Sequence, residues 1–181
     1  MGAIRFRGAI PSDAPALGYL HVASWREAYA GILPDEMLAS LSVESRAAMW
    51  AGVLGDPEAH FGTEIYVAED QGHLVGFGSC GRQRDESLME SGFSGGIGAI
   101  YVLQSHQHQG IGRSIMGLMA RALLEAGRRA ASLWVLRDNL VARRFYERLG
   151  GTVVGEKKDE TPDLILVELA YGWSDVTVLV R

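Results

Sequence analysis

Ile100-Tyr101-Val102-Leu103-Gln104-Ser105-His106-Gln107-His108-Gln109-Gly110-Ile111-Gly112-Arg113-Ser114 is the stretch that decides the fold. Its β-branched and aromatic start reads as a strand and its polar middle as a turn. Beyond the two glycines, Ile111, Ile115, Leu118, Met119, Ala122, Leu123 and Ala126 fall on one face of a helix that Gly127 ends. A glycine turn at a helix N-terminus leaves backbone N–H groups unpaired at the positive end of the helix dipole, which favours a phosphate ligand. Gly110 and Gly112 remove side chains where such a ligand must approach, and the N–H groups of residues 108–114 then converge on one point. An ordinary strand-to-helix turn has the same spelling, so support must come from the rest of the chain.

Downstream, Ser132-Leu133-Trp134-Val135-Leu136 is an apolar run suited to a buried parallel strand. Asp138 or Asn139 caps a helix that runs to Leu149 and stops at Gly150-Gly151. Residues 152–155 and 164–169 read as strands around a charged turn at 156–163, and 173–181 as a final short strand or arm. Upstream, residues 4–7 alternate as a first strand. Ser12 caps a helix with Leu17, Leu20, Ser24, Trp25 and Ala28 at helical spacing, stopped by Gly31 and Pro34. Asp35 opens a short helix, and Ser42 caps a third with Ala47, Trp50, Val53 and Leu54 on one face. Residues 65–69 and 74–78 form a hairpin about Gly72. The polar, glycine-rich segment 83–96 reads as a long flexible loop, and 97–102 as the strand feeding the opening stretch. Strands with helical crossovers predict an α/β (α+β) chain: a mixed sheet covered on both faces.

The chain of 181 residues is 48% hydrophobic, enough for a real core. A formal net charge of -5 argues against a protein that coats nucleic acid, because neutralising phosphates needs a basic face. No apolar run approaches the ~20 residues of a membrane span. The opening MGAIRFRGAI lacks an apolar signal core and Phe6 breaks a myristoylation pattern, so a cytoplasmic setting is expected. Cys80 stands alone, which excludes an intrachain disulfide; inside a strand it reads as a buried, inert thiol.

Other chemistries fail by spelling. A P-loop needs Lys and Ser/Thr after its last glycine, but Arg113 follows Gly112. The dinucleotide fingerprint needs glycine where Ile115 stands. Gly92-Phe93-Ser94-Gly95-Gly96 matches G-x-S-x-G, yet a nucleophile elbow needs a strand before the serine and a helix after it. Here a loop precedes and a strand follows. His106, His108 and Cys80 lack metal-ligand spacing and a fourth partner, so no metal is expected.

The opening stretch continues as YVLQSHQHQGIGRSIMGLM, and a strand later comes LWVLRDNLVARRFYERLGG. This ordered pair, with SWREAYAGILP near the N-terminus, resembles the GNAT-type acyl-CoA N-acyltransferases over roughly residues 4–169. In that family a Q/R-x-x-G-x-G/A loop holds the CoA pyrophosphate. Here it stands as Gln107, Gly110 and Gly112, with His108, Gln109, Ile111, Arg113 and Ser114 between and beside them. The second motif, N-x-x-A-x-x-F-Y-E-x-x-G, stands as Asn139, Ala142, Phe145, Tyr146, Glu147 and Gly150. The resemblance implies a mostly antiparallel central sheet with helices on both faces and a splayed pair of parallel strands, 98–102 and 132–136. With no internal repeats and no low-complexity linker the chain is read as one domain over 1–181, in which the resemblance implies acceptor-side helices at 12–54 and a cofactor-binding core at 97–150. The acyl-pantetheine arm would lie in the splay beside the backbone of Tyr101 and Val102, with Asn139 alongside. A basic pair, Arg128-Arg129 or Arg143-Arg144, would meet the ribose 3′-phosphate or simply face solvent.

The implied reaction moves an acetyl group from acetyl-CoA to a primary amine of a small molecule or peptide, by direct attack. Such an amine has a pKa of about 10 and must first lose a proton, to a carboxylate or a water wire. The Val102 N–H would hold the oxyanion and Tyr146 would protonate the leaving thiolate. Read without the family, Asn139 is a helix cap and Tyr146 a core tyrosine. Family members often carry an acid on the strand that here reads Gly96-Ile97-Gly98-Ala99-Ile100. The base is therefore open among Glu27, Glu64, Glu86, Glu90 and water. The missing acid also keeps a non-catalytic acyl-CoA-binding or regulatory module as the alternative. Trp25 and Tyr29 either shape the acceptor pocket or pack in the core. General frequency alone makes a C2 homodimer the assembly to test for.

Overall fold

Apolar alternation through residues 64–82 divides two cores between the faces of one sheet. The computed structural model describes residues 3–161 and 164–180. Its strands are β1 (Arg5–Gly8), β2 (Glu64–Asp70), β3 (His73–Arg82), β4 (Gly95–Val102), β5 (Ala131–Leu136), β6 (Thr152–Thr161) and β7 (Leu164–Trp173). Its helices are α1 (Ala14–Tyr29), α2 (Asp35–Ala39), α3 (Val43–Gly55), α4 (Glu86–Glu90), α5 (Ile111–Glu125) and α6 (Leu140–Arg148). The strands lie in the order β1-β2-β3-β4-β5-β7-β6. All neighbours are antiparallel except β4 and β5. On one face Val67 and Phe77 pack with Leu17 and Leu20 of α1 and Trp50 of α3. On the other, Ala68 and Cys80 pack with Ile115, Met119 and Leu123 of α5 and Tyr146 of α6.

Close approach of α5 to the sheet depends on Gly78. A Cβ there would stand 2.6 Å from Ile115 Cγ2, well inside van der Waals contact, so the side chain is missing where the helix must lie. Helix α5 is the amphipathic helix expected, with Ile111, Ile115, Met119, Ala122 and Leu123 buried.

Five sequence expectations change. Segment 83–96 is no loop throughout: Asp85 accepts N–H bonds from Ser87 and Leu88 and so caps α4, whose Leu88 is buried. Strand β4 begins at Gly95 rather than Ile97. A Cβ at Gly95 would be 3.1 Å from the Ala131 Cβ, so this glycine serves strand contact, not flexibility. The charged stretch from Glu156 belongs to β6, an edge strand whose exposed charges suit its position. There Lys157 sits opposite Glu168 and bonds it at 3.2 Å; the turn's Pro162 and Asp163 lie outside the described residues. The tail is a 3-10 turn, Val176–Leu179, with Val176 and Leu179 buried. Ser12 lies in the 3-10 turn Pro11–Asp13, and α1 starts one residue later than that turn.

Cys80 is buried, its S–H directed at the Met119 carbonyl, and burial pushes its pKa up to about 12. No helix among the described residues is long and apolar enough to cross a membrane.

His21 of α1 is buried against Trp25, Trp50, Phe77 and Tyr101, and accepts the Trp50 indole N–H at Nδ1. Burial, helped by Arg46, lowers its pKa from 6.5 to about 4. The unfolded chain therefore binds the extra proton between those values, and stability present above pH 6.5 is lost as pH falls through about 4. Chemical denaturation at pH 7 and pH 4.5 should show a loss on the order of 3 kcal/mol at most. His21→Gln should flatten that slope.

Candidate active site

The site grows from the one parallel contact. Strands β4 and β5 pair only at Gly95 with Ala131 and Gly96 with Ser132. Past that point β4 keeps β3 on one side and β5 keeps β7, and the edges between them part. Gln83 marks the fork: its buried amide donates to Ser132 Oγ (2.8 Å) and to the Gly95 carbonyl (3.3 Å). Leu103 donates its N–H to Val75 on β3 at 3.0 Å. Backbone direction alternates along an antiparallel strand, so the Val102 N–H and C=O face the gap while those of Tyr101 face β3. Tyr101 enters the site through its side chain.

A cavity of about 680 Å³ fills this gap. Its walls come from β4, β5, α1, α6 and the N-terminal turn of α5. The turn is held back to the strand by Gln107, whose amide donates to the Val102 carbonyl at 3.0 Å. Glu27 of α1 accepts the Gln104 N–H at 2.8 Å and pins the preceding 3-10 turn. His108 and Gly110 both take positive φ, 61° and 79°. Gly110 is the N-cap of α5 and no side chain caps that helix. The Ser114 N–H already bonds the Gly110 carbonyl. The N–H groups of Ile111, Gly112 and Arg113 thus remain at the cavity wall without a protein partner among the described residues. Gly112 lines the cavity and has a packing role as well: a Cβ there would lie 3.1 Å from Phe145 Cζ, so α5 and α6 close on each other through it.

Three phenols converge from three elements. Tyr29 of α1 and Tyr101 of β4 share a hydrogen bond at 3.0 Å. Tyr146 of α6 is buried, packs on Phe145, Tyr171 and Trp173, and its hydroxyl has no protein partner among the described residues. Burial first, then the nearby Tyr29, pushes the Tyr146 phenol well above its ordinary value. Burial likewise raises Tyr29 and Tyr101. All three stay protonated at neutral pH, and within the Tyr29–Tyr101 pair one hydroxyl donates and the other accepts.

The sequence-derived positions Tyr101, Val102, Gln107, His108, Gly110, Ile111, Gly112, Arg113, Asn139 and Tyr146 line the cavity; Gln109 and Ser114 do not. Asn139 caps α6 by accepting the Ala142 N–H at 3.2 Å, and it also faces the cavity. Of the four glutamates only Glu27 lines it. Neither basic pair does: Arg129 pairs with Asp175 and Arg143 bonds Tyr171, while Arg113 and Arg148 line the wall. Ser94 precedes β4 directly, with no helix after it. Among the described residues no group of three His, Cys, Asp or Glu side chains is placed to hold a metal.

A second cavity of about 620 Å³ meets the first through Tyr29, Ile97, Gly98, Tyr101, Trp134 and Val135. Its wall brings in Asp85 and Glu168, two carboxylates that sequence reasoning missed. Ser24, on the first cavity, keeps a buried hydroxyl without a partner.

The model of the Acetyltransferase (GNAT) family matches residues 22–151. The chain belongs to the GNAT acetyltransferase family. YuaI of Bacillus subtilis (strain 168), an uncharacterized N-acetyltransferase, is 30% identical over 177 residues, covering 97% of this chain and 96% of YuaI. Among solved structures, the PaiA N-acetyltransferase of Thermoplasma acidophilum in complex with coenzyme A is similar with a TM-score of 0.70 at 19% identity, covering 93% of this chain and 98% of that one. YncA of Salmonella typhimurium, solved with its cofactor acetyl-CoA, has a TM-score of 0.69 at 19% identity, with 95% and 94% covered. At those identities the likeness is one of fold, and it is the GNAT fold. This GNAT chain is an acyltransferase.

Gly112→Ala should cost about 1 kcal/mol by crowding Phe145. Phe145→Leu in the same chain should restore part of it, read by urea denaturation of both single variants and the double. Strict additivity would instead place the role of Gly112 in the loop backbone.

Proposed function

We propose that residues 1–181 act as one N-acetyltransferase domain that transfers the acetyl group of acetyl-CoA to a primary amine of a small molecule or peptide, by direct attack in a ternary complex. The observation that carries this reading is the fork between β4 and β5: two cavities meet in it, so two substrates reach one point from opposite sides. The residues fit CoA. Uncapped N–H groups at Ile111, Gly112 and Arg113 suit a pyrophosphate, Arg113 and Arg148 add charge at the wall, and the unpaired edge of β4 suits an extended amide-bearing arm. CoA and acetyl-CoA occupy the solved relatives named above. Acetyl-CoA supplies the activated acyl group; the chain supplies position and proton transfer.

The Val102 N–H, facing the gap, hydrogen-bonds the carbonyl oxygen as it gains charge. Tyr146, held protonated by burial, donates to the departing sulfur. A carboxylate takes the proton that the ammonium must lose. Glu27 lines the first cavity and Asp85 and Glu168 the second, each with a partner of its own, so the base is one of these or a water. The lone Cys80 suits a reducing, cytoplasmic setting.

Purified protein with acetyl-CoA and a panel of amines should release thiol. Tyr146→Phe should lower kcat by roughly 100-fold or more while leaving the Kd for acetyl-CoA unchanged. The basic limb of the kcat profile should lie above pH 10, the ordinary tyrosine value, because the folded pKa is raised. Unchanged turnover in Tyr146→Phe would remove it as the acid. Acetyl-CoA binding with no turnover on any amine would favour the non-catalytic module.

A further inference from the structure

The chain from Gln104 to Gly110 joins β4 to α5, and its course decides where the N–H groups of Ile111, Gly112 and Arg113 point. Past the 3-10 turn it does little to hold itself. The N–H groups of His108, Gln109 and Gly110 find no acceptor among the described residues. The Gln109 amide reaches the Ser105 carbonyl at 3.4 Å. Firmer fastenings come from outside that loop: Glu27 takes the Gln104 N–H, and the Gln107 side chain ties back to Val102. Another comes from the hairpin between β2 and β3. Gln71 and Gly72 turn that hairpin with positive φ, 49° and 83°, the two-residue geometry that suits strand twist. Asp70 closes its ladder opposite His73, and Asp70 Oδ2 stands 3.3 Å from His106 Nε2.

A carboxylate only accepts, so His106 Nε2 carries a proton and donates it to Asp70 in a hydrogen bond. Nδ1 of the neutral ring then accepts the Ser105 hydroxyl at 2.8 Å. Both nitrogens are thus engaged inside the protein, although the ring lines the first cavity. Side-chain exposure is 22% for His106 and 18% for Asp70, so water competes little for their bond. The second Asp70 oxygen, Oδ1, is buried without a partner among the described residues. A carboxylate left half satisfied costs stability, and such a group calls for a reason other than stability. Charge attraction does not supply one, because an anion behind the wall of a diphosphate site opposes the ligand. Geometry does. The bond fixes the last residue of the turn, from which the loop runs to the N-cap of α5.

We propose that Asp70 is a positioning residue for acyl-CoA binding: through His106 it aims the N–H row of residues 111–113 at the diphosphate. This rests on the acyl-CoA reading above. Asp70 itself lines neither cavity. The hairpin, acting through one imidazole, sets the cofactor turn before the cofactor arrives. Preorganisation of that kind shows as affinity for the part of the ligand that the turn holds.

Titration calorimetry of the full chain with CoA, acetyl-CoA and S-acetylpantetheine, which lacks the diphosphate, tests this. Asp70→Ala should weaken CoA and acetyl-CoA by about 10-fold, the scale of one hydrogen bond to a charged group, and leave S-acetylpantetheine unchanged. Asp70→Asn, which keeps an acceptor oxygen for the Nε2–H, should recover most of that loss. His106→Gln should match Asp70→Ala, and the double variant should lose no more than either single one. His106→Gln also carries the comparison if Asp70→Ala does not fold. With an amine that the wild type acetylates, Asp70→Ala should raise KM for acetyl-CoA and leave kcat unchanged. Unchanged or tighter CoA binding in Asp70→Ala, tighter being the sign that removing a nearby anion alone gives, overturns the assignment. An equal loss with S-acetylpantetheine, or strict additivity with His106→Gln, overturns it too. Those outcomes leave CoA binding by the wild type standing; a wild type that binds no CoA brings down the acyl-CoA reading itself.

Discussion

Everything at the site depends on one broken ladder. Two parallel pairs, Gly95 with Ala131 and Gly96 with Ser132, are the only ladder pairs between the halves of the sheet. Buried backbone groups require partners, so a row of N–H and C=O groups facing a gap is costly unless something else satisfies them. Part of that demand is met internally, by Gln107 on the Val102 carbonyl and by Gln83 at the fork. The remainder is what suits the gap to a ligand: the open edge matches an extended chain with amide groups of its own. The same opening lets helices on opposite faces of the sheet contribute to one space, Tyr29 from α1 and Tyr146 from α6.

Glycines do four separate jobs around this gap, and their physical reasons differ. Gly95 permits strand contact against Ala131, and Gly78 lets α5 settle on the sheet. Gly112 lets α5 and α6 approach through Phe145. Only Gly110 is demanded by its φ of 79°, with open space around it. A motif written as G-x-G therefore joins a backbone requirement to a packing requirement, and only the first bears directly on anion binding. His108, at φ 61°, adopts a left-handed conformation without being glycine and helps turn the N–H row toward the cavity.

The strand, turn and helix from residue 97 to 125 were legible in the sequence because periodicity and glycine placement agreed there. Asn139 and Tyr146 were legible only as members of a motif, since a capping asparagine and a core tyrosine have the same spelling. What could not be read were contacts that sequence distance hides. Helix α4 was lost among glycines and charges although Asp85 and Leu88 carry a cap and an anchor. The charge run at 156–161 suggested a turn because like-looking residues also line an edge strand, where Lys157 and Glu168 pair across the ladder. Arg113 and Arg148 reach the cavity where the conspicuous Arg-Arg pairs do not, because helical facing, not charge density, decides which arginine meets a ligand.

β4 carries no acid, and the carboxylate nearest its line across the fork belongs to β7. Leu136 of β5 lies opposite Glu168 of β7, so the carboxylate stands on the far wall of the fork, one strand beyond the gap. From there it faces the second cavity, while Tyr146 and the N–H groups of α5 belong to the first. Tyr29 and Tyr101, both held protonated by burial, stand where the two cavities meet, so the wall that α1 and β4 build there carries hydroxyls and no carboxylate.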